Sequence, residues 1–277
     1  MSIPRRIIQT NRTDQLDPVA KAAACNLKLL HPDWEYVFFT DQDIERFVNE
    51  HFPQYRATFD AFTKQIQKID FFRYLAIFRL GGFYFDLDVL LSRPLTGLLC
   101  HESVFPFEEL TMNRFLRSHY KMDWEIGNYA FGAAAGNQFL EAVIQNCVRA
   151  QTDRAWLRPM IRGVRSLRRA EFFVFNTTGP ALLSRTYAER PDLAAKVKVL
   201  FPSDVCDRAN WHLFGDYGTH LMTSSWVPRG NSIWRRIGNR LDALSLARLL
   251  PESRQLGPAR EGPMACAPPL QGSKLTS

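Results

Sequence analysis

The sequence predicts an α/β fold whose central sheet is mainly parallel and flanked by helices. Strand-like and helix-like segments alternate over roughly the first ninety of the 277 residues, a spacing typical of parallel strands joined by crossover helices. A helical segment then leads through Gly81 and Gly82 into a long apolar run, as expected for a buried strand. Hydrophobic residues make up 46% of the chain, which excludes an intrinsically disordered protein and provides for a large core.

The elements of the first half follow from local composition. The predicted strands cover residues 3–9, 34–40 and 83–91, and the predicted helices cover residues 19–30, 41–50 and 63–80. Acidic residues in the first turn favour the second helix, because the helix dipole stabilises negative charge there. The glycine pair ends the third helix, since glycine tolerates the positive φ of a helix C-terminus.

The second half gives weaker signals. The predicted elements are a strand at residues 130–135, a helix at 139–148, a strand at 172–175, a helix at 178–189, a strand at 197–201 and a polar-aromatic stretch at 220–226 near a strand end. Residues 1–250 are expected to form a single domain. Residues 251–277 are rich in Pro, Gly and Ser and are expected to be a disordered tail.

Charge is distributed unevenly along the chain. Residues 1–150 contain 16 basic and 18 acidic side chains, whereas residues 151–277 contain 19 and 10. A basic excess in one half indicates an anionic partner, such as a nucleic acid, a membrane surface or a phosphorylated ligand.

Two carboxylates interrupt the apolar run at residues 83–91. Asp86 and Asp88 are two residues apart, so in an extended segment both side chains leave the same face. Burying ionised carboxylates is costly unless a cation or hydrogen-bond donors compensate them. The pair therefore either lies at an exposed strand end or binds a divalent metal beyond the carboxyl end of a central strand.

Asp70 and Arg73 lie three residues apart on the preceding helix and share a face. They form an ordinary intrahelical ion pair, or they border the same cleft as the aspartates. In the second case Arg73 would hold an anion and Asp70 would accept hydrogen bonds from hydroxyl groups.

Four segments together resemble a known pattern: residues 3–9 (IPRRIIQ), 39–41 (FTD), 69–74 (IDFFRY) and 80–88 (LGGFYFDLD). The chain is similar to the DXD-containing family 32 glycosyltransferases, which include the inositol-phosphoceramide mannosyltransferases. Looser matches are Asn128, Gly136-Asn137, Thr178-Gly179-Pro180 and His220 with Ser225-Trp226. The family's usual His-Gln pair is Ile8-Gln9 in this sequence, so no histidine is present there to contact a donor.

The resemblance implies a GT-A fold and a UDP- or GDP-linked sugar donor bound with Mn²⁺ or Mg²⁺. It assigns Asp88, Asp86 and His220 to the metal. It assigns contacts with the donor to Gln9, Asp70, Arg73, Asp86, Ser225 and Trp226, with Asp86 and Asp88 as the catalytic pair. Residues 1–100 would form the donor-binding part, and residues 101–250 the acceptor-side part that completes the metal site.

The implied activity is the transfer of a hexose to a glycan or glycolipid acceptor with retention of configuration. Because no carboxylate stands out as a covalent nucleophile, attack of the acceptor on the same face as the departing phosphate is the preferred mechanism. Two alternatives remain: a metal-dependent phosphohydrolase, which requires a third carboxylate at a neighbouring strand end, and a basic protein that binds nucleic acid or another anion. No zinc site, RNP-like motif or helix-turn-helix signature supports nucleic-acid binding.

The basic half contains two features suited to an anionic surface. Six arginines at helix-like spacing lie at positions 154, 158, 162, 165, 168 and 169, and residues 233–244 predict a basic amphipathic helix that either packs on the domain or contacts a membrane. No apolar run is long enough for a transmembrane helix, and the N-terminus does not resemble a signal peptide. With five scattered cysteines read as reduced thiols, the expected location is cytoplasmic and peripheral at a membrane.

Overall fold

The computed structural model describes residues 2–164 and 169–223. Within them the strands are β1 Arg6–Thr10, β2 Glu35–Phe39, β3 Gly82–Phe85, β4 Val89–Leu91, β5 Ser103–Leu110, β6 Trp124–Ile126, β7 Ala130–Ala133, β8 Val197–Leu200 and β9 Gly218–His220. The helices are α1 Pro18–Leu30, α2 Asp41–His51, α3 Arg56–Ala61, α4 Gln65–Leu80, α5 Arg114–Tyr120, α6 Gln138–Thr152, α7 Arg154–Gly163, α8 Arg169–Thr177, α9 Pro180–Glu189 and α10 Pro191–Ala194.

Seven strands form the central sheet in the order β2-β1-β3-β7-β5-β6, and β8 pairs with β5 as well. Strands β1, β2 and β3 are parallel to one another, and β8 is parallel to β5. Strand β7 is antiparallel to both β3 and β5, and β6 is antiparallel to β5. Five strands therefore point in one direction and two in the other, which confirms the predicted mainly parallel sheet.

Helices cover both faces of this sheet because adjacent residues of each strand point to opposite sides. Ile8 and Tyr84 belong to the larger core, beneath α2, α4, α6 and α9. Ile7 and Phe83 belong to the smaller core, which α1 covers. The predicted α/β class with flanking helices is confirmed.

The predicted strand at residues 83–91 is wrong in one respect, because it is broken at the two aspartates. Strand β3 stays in the central sheet, whereas β4 pairs only with β9 in a separate two-stranded sheet. Between them the backbone turns, and the Val89 amide donates to the Asp86 carbonyl at 3.2 Å. Asp86 and Asp88 therefore leave a turn rather than one face of a continuous strand.

The predicted strand at residues 172–175 is also wrong, because this segment belongs to helix α8. Buried residues recur at helical spacing, with Val174 and Thr177 turned inward and Phe173 39% exposed. The Thr177 hydroxyl donates back to the Phe173 carbonyl at 2.8 Å, a bond that only a helical turn permits.

Cys25 and Cys147 are free thiols, whereas Cys100 is disulfide-bonded. The prediction that all cysteines are reduced is therefore wrong for Cys100. No helix among residues 2–164 and 169–223 combines the length and the hydropathy needed to cross a bilayer. The predicted amphipathic helix at 233–244 and the predicted tail at 251–277 lie outside the described residues, as do Arg165 and Arg168.

Candidate functional site

Those predicted site residues that the structure describes meet at the edge of the sheet where β1 and β3 end. Gln9 lies in the last two residues of β1, and Asp86 follows β3 directly. Because the two strands are parallel neighbours, their carboxyl ends lie side by side. This is the edge at which ligands collect in open α/β sheets.

Asp88 and His220 are brought together by the small sheet. Strand β4 pairs with β9 so that Val89 lies opposite His220, and the His220 Nε2 lies 3.1 Å from the Asp88 Oδ1. The other carboxylate oxygen of Asp88 accepts hydrogen bonds from the Thr223 amide at 2.9 Å and hydroxyl at 2.8 Å. Burial alone would raise the pKa of Asp88, but the hydrogen bond and charge of His220 and the bonds from Thr223 lower it to about 2.

Asp86, Asp88 and His220 form a cluster with the composition of a metal site. Each residue offers one ligand atom, and these atoms all lie within 4.8 Å of one another. The Nδ1 atom of His220 is buried and has no hydrogen-bond partner in the described part of the chain. Two carboxylates and one imidazole are donors that suit Mn²⁺, with Mg²⁺ less favoured by the nitrogen ligand.

The ring of Tyr129 packs against one side of this cluster. It stacks on the His220 imidazole with ring centroids 4.3 Å apart and planes 19° from parallel. The backbone carbonyl of Tyr129 also accepts the Asp86 amide at 2.8 Å. One residue therefore orients two of the three potential metal ligands.

Asp70 and Arg73 form a buried ion pair on α4, with side chains only 5% and 3% exposed and 3.3 Å apart. Asp70 accepts further hydrogen bonds from the Asn128 amide at 3.1 Å and the Thr178 hydroxyl at 2.9 Å. Burial raises the pKa of Asp70 to about 6, although the Arg73 charge and the Thr178 hydrogen bond oppose the rise.

Arg73 links this pair to the first aspartate of the cluster. Its Nη2 lies 3.3 Å from the Asp86 Oδ1, and its Nη1 donates to the Asn128 carbonyl at 2.7 Å. The guanidinium group also lies over the Tyr84 ring at 4.6 Å, and the Tyr84 hydroxyl donates to Asp86 at 2.8 Å. These contacts fix the Asp86 carboxylate, which is 29% exposed and faces the cleft.

Gln9 is fully buried behind the aspartates. Its amide oxygen accepts the Tyr36 hydroxyl at 2.8 Å, and its amide nitrogen lies 3.4 Å from the Asp86 carbonyl. In this structure Gln9 contacts the backbone of the turn that contains Asp86 and so stabilises it. Ser225 and Trp226, the predicted diphosphate contacts, lie outside the described residues.

Several residues of the site had no assigned role in the sequence. Asn128 and Thr178 were loose family matches, and the structure shows both donating to Asp70. Tyr84 belongs to the apolar run of the motif, and Tyr129 was not singled out in the sequence. Their polar contacts depend on strand pairing, which no local pattern reveals.

Glu108 on β5 is a carboxyl group that sequence reasoning missed. Its Oε2 is buried without a hydrogen-bond partner among the described residues. Burial raises the pKa of Glu108 well above its usual range, and the nearby charges of Glu109, Glu125 and Asp86 raise it further. Burial therefore disfavours the ionised form of Glu108, and the Asp86 charge adds to this effect.

Residues 20–105 match the family model described as the glycosyltransferase sugar-binding region containing the DXD motif. The matched range includes Asp70, Arg73, Asp86 and Asp88. The predicted resemblance to DXD-containing glycosyltransferases is thereby confirmed for this part of the chain. Gln9 and His220 lie outside the match.

Curated relatives extend the similarity. The chain is 31% identical over 148 residues to inositol phosphoceramide mannosyltransferase 3 of Schizosaccharomyces pombe, covering 53% of this chain and 38% of the relative. It is 25% identical over 225 residues to mannosyl phosphorylinositol ceramide synthase SUR1 of Saccharomyces cerevisiae, covering 76% and 52%. The chain thus spans about half or less of the length of these relatives.

Two solved structures align over most of the chain. PaToxG glycosyltransferase aligns with a TM-score of 0.48 and 14% identity, covering 70% of this chain and 73% of that one. The ligand-free glycosyltransferase domain from the YGT toxin aligns with a TM-score of 0.46 and 10% identity, covering 72% and 80%. Both are similarities in the course of the backbone, with few identical residues.

Proposed function

We propose that this chain is a metal-dependent glycosyltransferase of the GT-A type, which moves a hexose from a nucleoside-diphosphate sugar to a glycan or glycolipid acceptor. One observation carries the proposal. The two aspartates of the matched DXD region lie with His220 in a cluster whose ligand atoms are all within 4.8 Å. The buried Asp70–Arg73 pair, also in the matched region, lies directly against that cluster.

The relatives favour a particular acceptor. One is named an inositol phosphoceramide mannosyltransferase and the other a mannosyl phosphorylinositol ceramide synthase. We therefore propose mannose as the transferred sugar and a phosphorylated sphingolipid as the acceptor. The donor would be a mannose linked to UDP or GDP.

Asp88, Asp86 and His220 would hold a divalent cation, Mn²⁺ in preference to Mg²⁺. When bound, such a cation acts as a Lewis acid on the diphosphate, where negative charge develops as the glycosidic bond breaks. Asp88 suits this role because its low pKa keeps it ionised at neutral pH. Tyr129 and Thr223 orient the ligands and so reduce the cost of assembling the site.

Asp70, Arg73 and Asp86 would contact the donor sugar and ribose. Asp86 is the most exposed of the three, and Arg73 holds it through the 3.3 Å ion pair. The buried Asp70 and Arg73 would close the inner end of the sugar pocket, where a carboxylate and a guanidinium group can pair with hydroxyls.

We also propose retention of configuration by front-face attack, in which the departing phosphate oxygen helps to accept the acceptor's proton. A double displacement needs an ionised carboxylate beside the anomeric carbon. Glu108 lies close enough for the Asp86 charge to raise its pKa, and its burial disfavours the ionised form that a nucleophile needs. Detection of a sugar ester on Glu108 by mass spectrometry of the trapped enzyme would contradict front-face attack.

The first test is thermal unfolding of the full chain with UDP- and GDP-sugars, each with and without Mn²⁺. A ligand that binds the native state at about a hundred times its Kd stabilises it by about 2.7 kcal/mol, which raises the Tm measurably. We expect a sugar nucleotide to do so only with the metal, and Asp88→Ala to abolish the metal-dependent part.

Asp33→Ala is the matched control, because Asp33 is 64% exposed and follows α1 at the other end of the sheet. It should retain the full shift. A metal-dependent shift that survives in Asp88→Ala would disprove the metal assignment. Transfer of labelled mannose to an inositol phosphoceramide acceptor then tests the reaction itself.

A further inference from the structure

A groove outside the metal cluster lies between α4, α6, α7 and α8. Its cavity volume is about 490 Å³. We define it as the arginine groove by five of its lining residues: Arg154, Arg158, Ile161, Arg162 and Phe173. The polar residues Gln67 and Thr177 line it as well.

The three arginines have no compensating acid among the described residues. They recur every four residues along α7 and are all exposed, so they present one positively charged face. None of them pairs with an acidic side chain in the described part of the chain, although the nearby Arg149 and Arg185 pair with Asp153 and Glu189. Like charges at this spacing destabilise a helix, and Arg154 lies at the N-terminal end, where the dipole disfavours a cation. An external anion would offset these costs.

The groove also exposes apolar surface. Ile161 is 42% exposed and Phe173 is 39% exposed, and they are two of only six large hydrophobic side chains exposed among the described residues. Cationic and apolar groups side by side are typical of surfaces that meet a lipid headgroup and the start of its acyl chains. A free soluble anion would need only the arginines.

The arginine groove shares a wall with the candidate active site. Gln67 donates to the Thr177 hydroxyl at 2.8 Å on the groove side. One helical turn further along α4, Asp70 accepts a hydrogen bond at 2.9 Å from Thr178, the residue directly after α8. A ligand in the groove therefore contacts the same two helices that position Asp70.

We propose that the arginine groove binds the phosphate headgroup of an anionic membrane lipid and so docks the lipid acceptor beside the site. The identification of this lipid as the acceptor rests on the proposed function; the binding of the headgroup does not. Arg158 and Arg162 hold the phosphate, while Ile161 and Phe173 contact the apolar part of the lipid.

The test is flotation of the full chain with vesicles of phosphatidylcholine, with and without phosphatidylinositol. We expect binding only to the phosphatidylinositol vesicles. Each arginine near an anionic bilayer contributes about 1 kcal/mol to binding, so Arg158→Gln combined with Arg162→Gln should weaken partitioning by at least about tenfold. Both side chains are exposed, and unchanged thermal unfolding verifies that the variant folds.

The matched control is Arg79→Gln combined with Arg114→Gln, which removes the same charge from exposed arginines outside the groove. It should bind nearly as well as the natural protein. Equal losses in the two double variants, or no loss in either, would overturn the proposal. So would groove-dependent binding of a single-stranded oligonucleotide without binding of the vesicles.

Failure of the proposed transferase function and failure of the groove proposal give different experimental results. If no sugar nucleotide shifts the Tm but the groove variant alone loses vesicle binding, the groove is a lipid site and the transferase assignment is wrong. If donors bind through Asp88 and both double variants bind vesicles fully, the groove proposal is wrong and the transferase assignment remains.

Discussion

At the residue scale, burial and partners give the carboxyl groups near the site different charge states. Asp88 has His220 and Thr223 as donors, and its pKa is lowered to about 2. Asp70 is more deeply buried, and its pKa rises to about 6 in spite of Arg73. Glu125 has only the Thr111 hydroxyl as a partner, and burial raises its pKa to about 7. At neutral pH, Asp88 is thus more firmly ionised than Asp70 or Glu125.

Glu125 gives a prediction for stability against pH. The unfolded chain releases this proton near pH 4.5, whereas the folded chain retains it up to about pH 7. The unfolded state binds fewer protons over that interval, so the free energy of unfolding should fall as pH rises through it and level off above. A shift of this size corresponds to as much as about 3 kcal/mol.

The neutral variant Glu125→Gln should lose this dependence while still accepting a hydrogen bond from Thr111. Urea unfolding between pH 4.5 and 8 measures the difference, which should be small at the acid end and largest at pH 8. Glu50→Gln, at an exposed position, is the control. Parallel pH curves for the natural protein and Glu125→Gln would contradict the prediction.

Sequence reasoning identified the residues that a motif carries and missed those that tertiary contacts bring in. Asp86 and Asp88 stood out because charges rarely interrupt an apolar run, and in the structure both lie close to His220. Glu108 gave no signal, because an acid in a strand usually faces solvent. Its burial results from the packing of its carboxyl group against Gly127, where even a Cβ atom would lie 2.4 Å from the Oε2.

At the element scale, the glycine pair joins α4 to β3 in a way that other residues cannot. Gly81 ends α4 with φ +66°, and its amide donates to the Ile77 carbonyl at 2.8 Å. Gly82 has φ +107°, and a Cβ there would lie 2.7 Å from the Arg6 carbonyl oxygen of β1. The pair therefore sets the register of β3, the strand that ends at Phe85 directly before Asp86.

Gly82→Ala should cost at least about 3 kcal/mol, since it adds a backbone clash to an unfavourable φ. Gly136→Ala is the matched control, because Gly136 has φ +69° but no atom within 4 Å of the added Cβ. It should cost only about 1–2 kcal/mol, the penalty of a left-handed residue. Urea denaturation compares the two variants, and equal losses would show that the contact with β1 is unimportant.

The elements were predicted well where local and tertiary preferences agree. Helix α4 has both a buried face and a glycine stop, and it lies at residues 65–80 where 63–80 was expected. The run at residues 83–91 predicts one continuous strand because both of its halves are apolar. Its break depends on β9, more than 120 residues later, which pairs with the second half. The aromatic residues at 172–175 favoured a strand, but packing against α7 and α9 selects a helix.

At the scale of the whole molecule, residues 1–100, the proposed donor-binding part, do not contain all the strands of the central sheet. Strand β3 lies between β1 and β7, and β7 comes from residues 130–133. Without β7, the β3 edge and the fully buried Phe83 and Phe85 would be open to water. The predicted division near residue 100 therefore does not separate two independently folded units. That the two parts bind donor and acceptor respectively stays a prediction.

A fragment of residues 1–100 should consequently fail to fold alone. We expect no cooperative unfolding transition by circular dichroism and strong binding of a hydrophobic dye, in contrast to the full chain. A sharp transition in the fragment would show that the first hundred residues form an independent domain.

The pairing of β4 with β9 also determines the stage of translation at which the candidate site can form. Thr223 donates to Asp88 from 135 residues further along the chain. At roughly 5–20 residues per second, a ribosome needs on the order of ten seconds to make that segment. The nascent chain thus exposes both aspartates of the turn well before their histidine partner emerges. The candidate site can therefore form only after β9 and Thr223 have been synthesised, long after the turn that carries the aspartates.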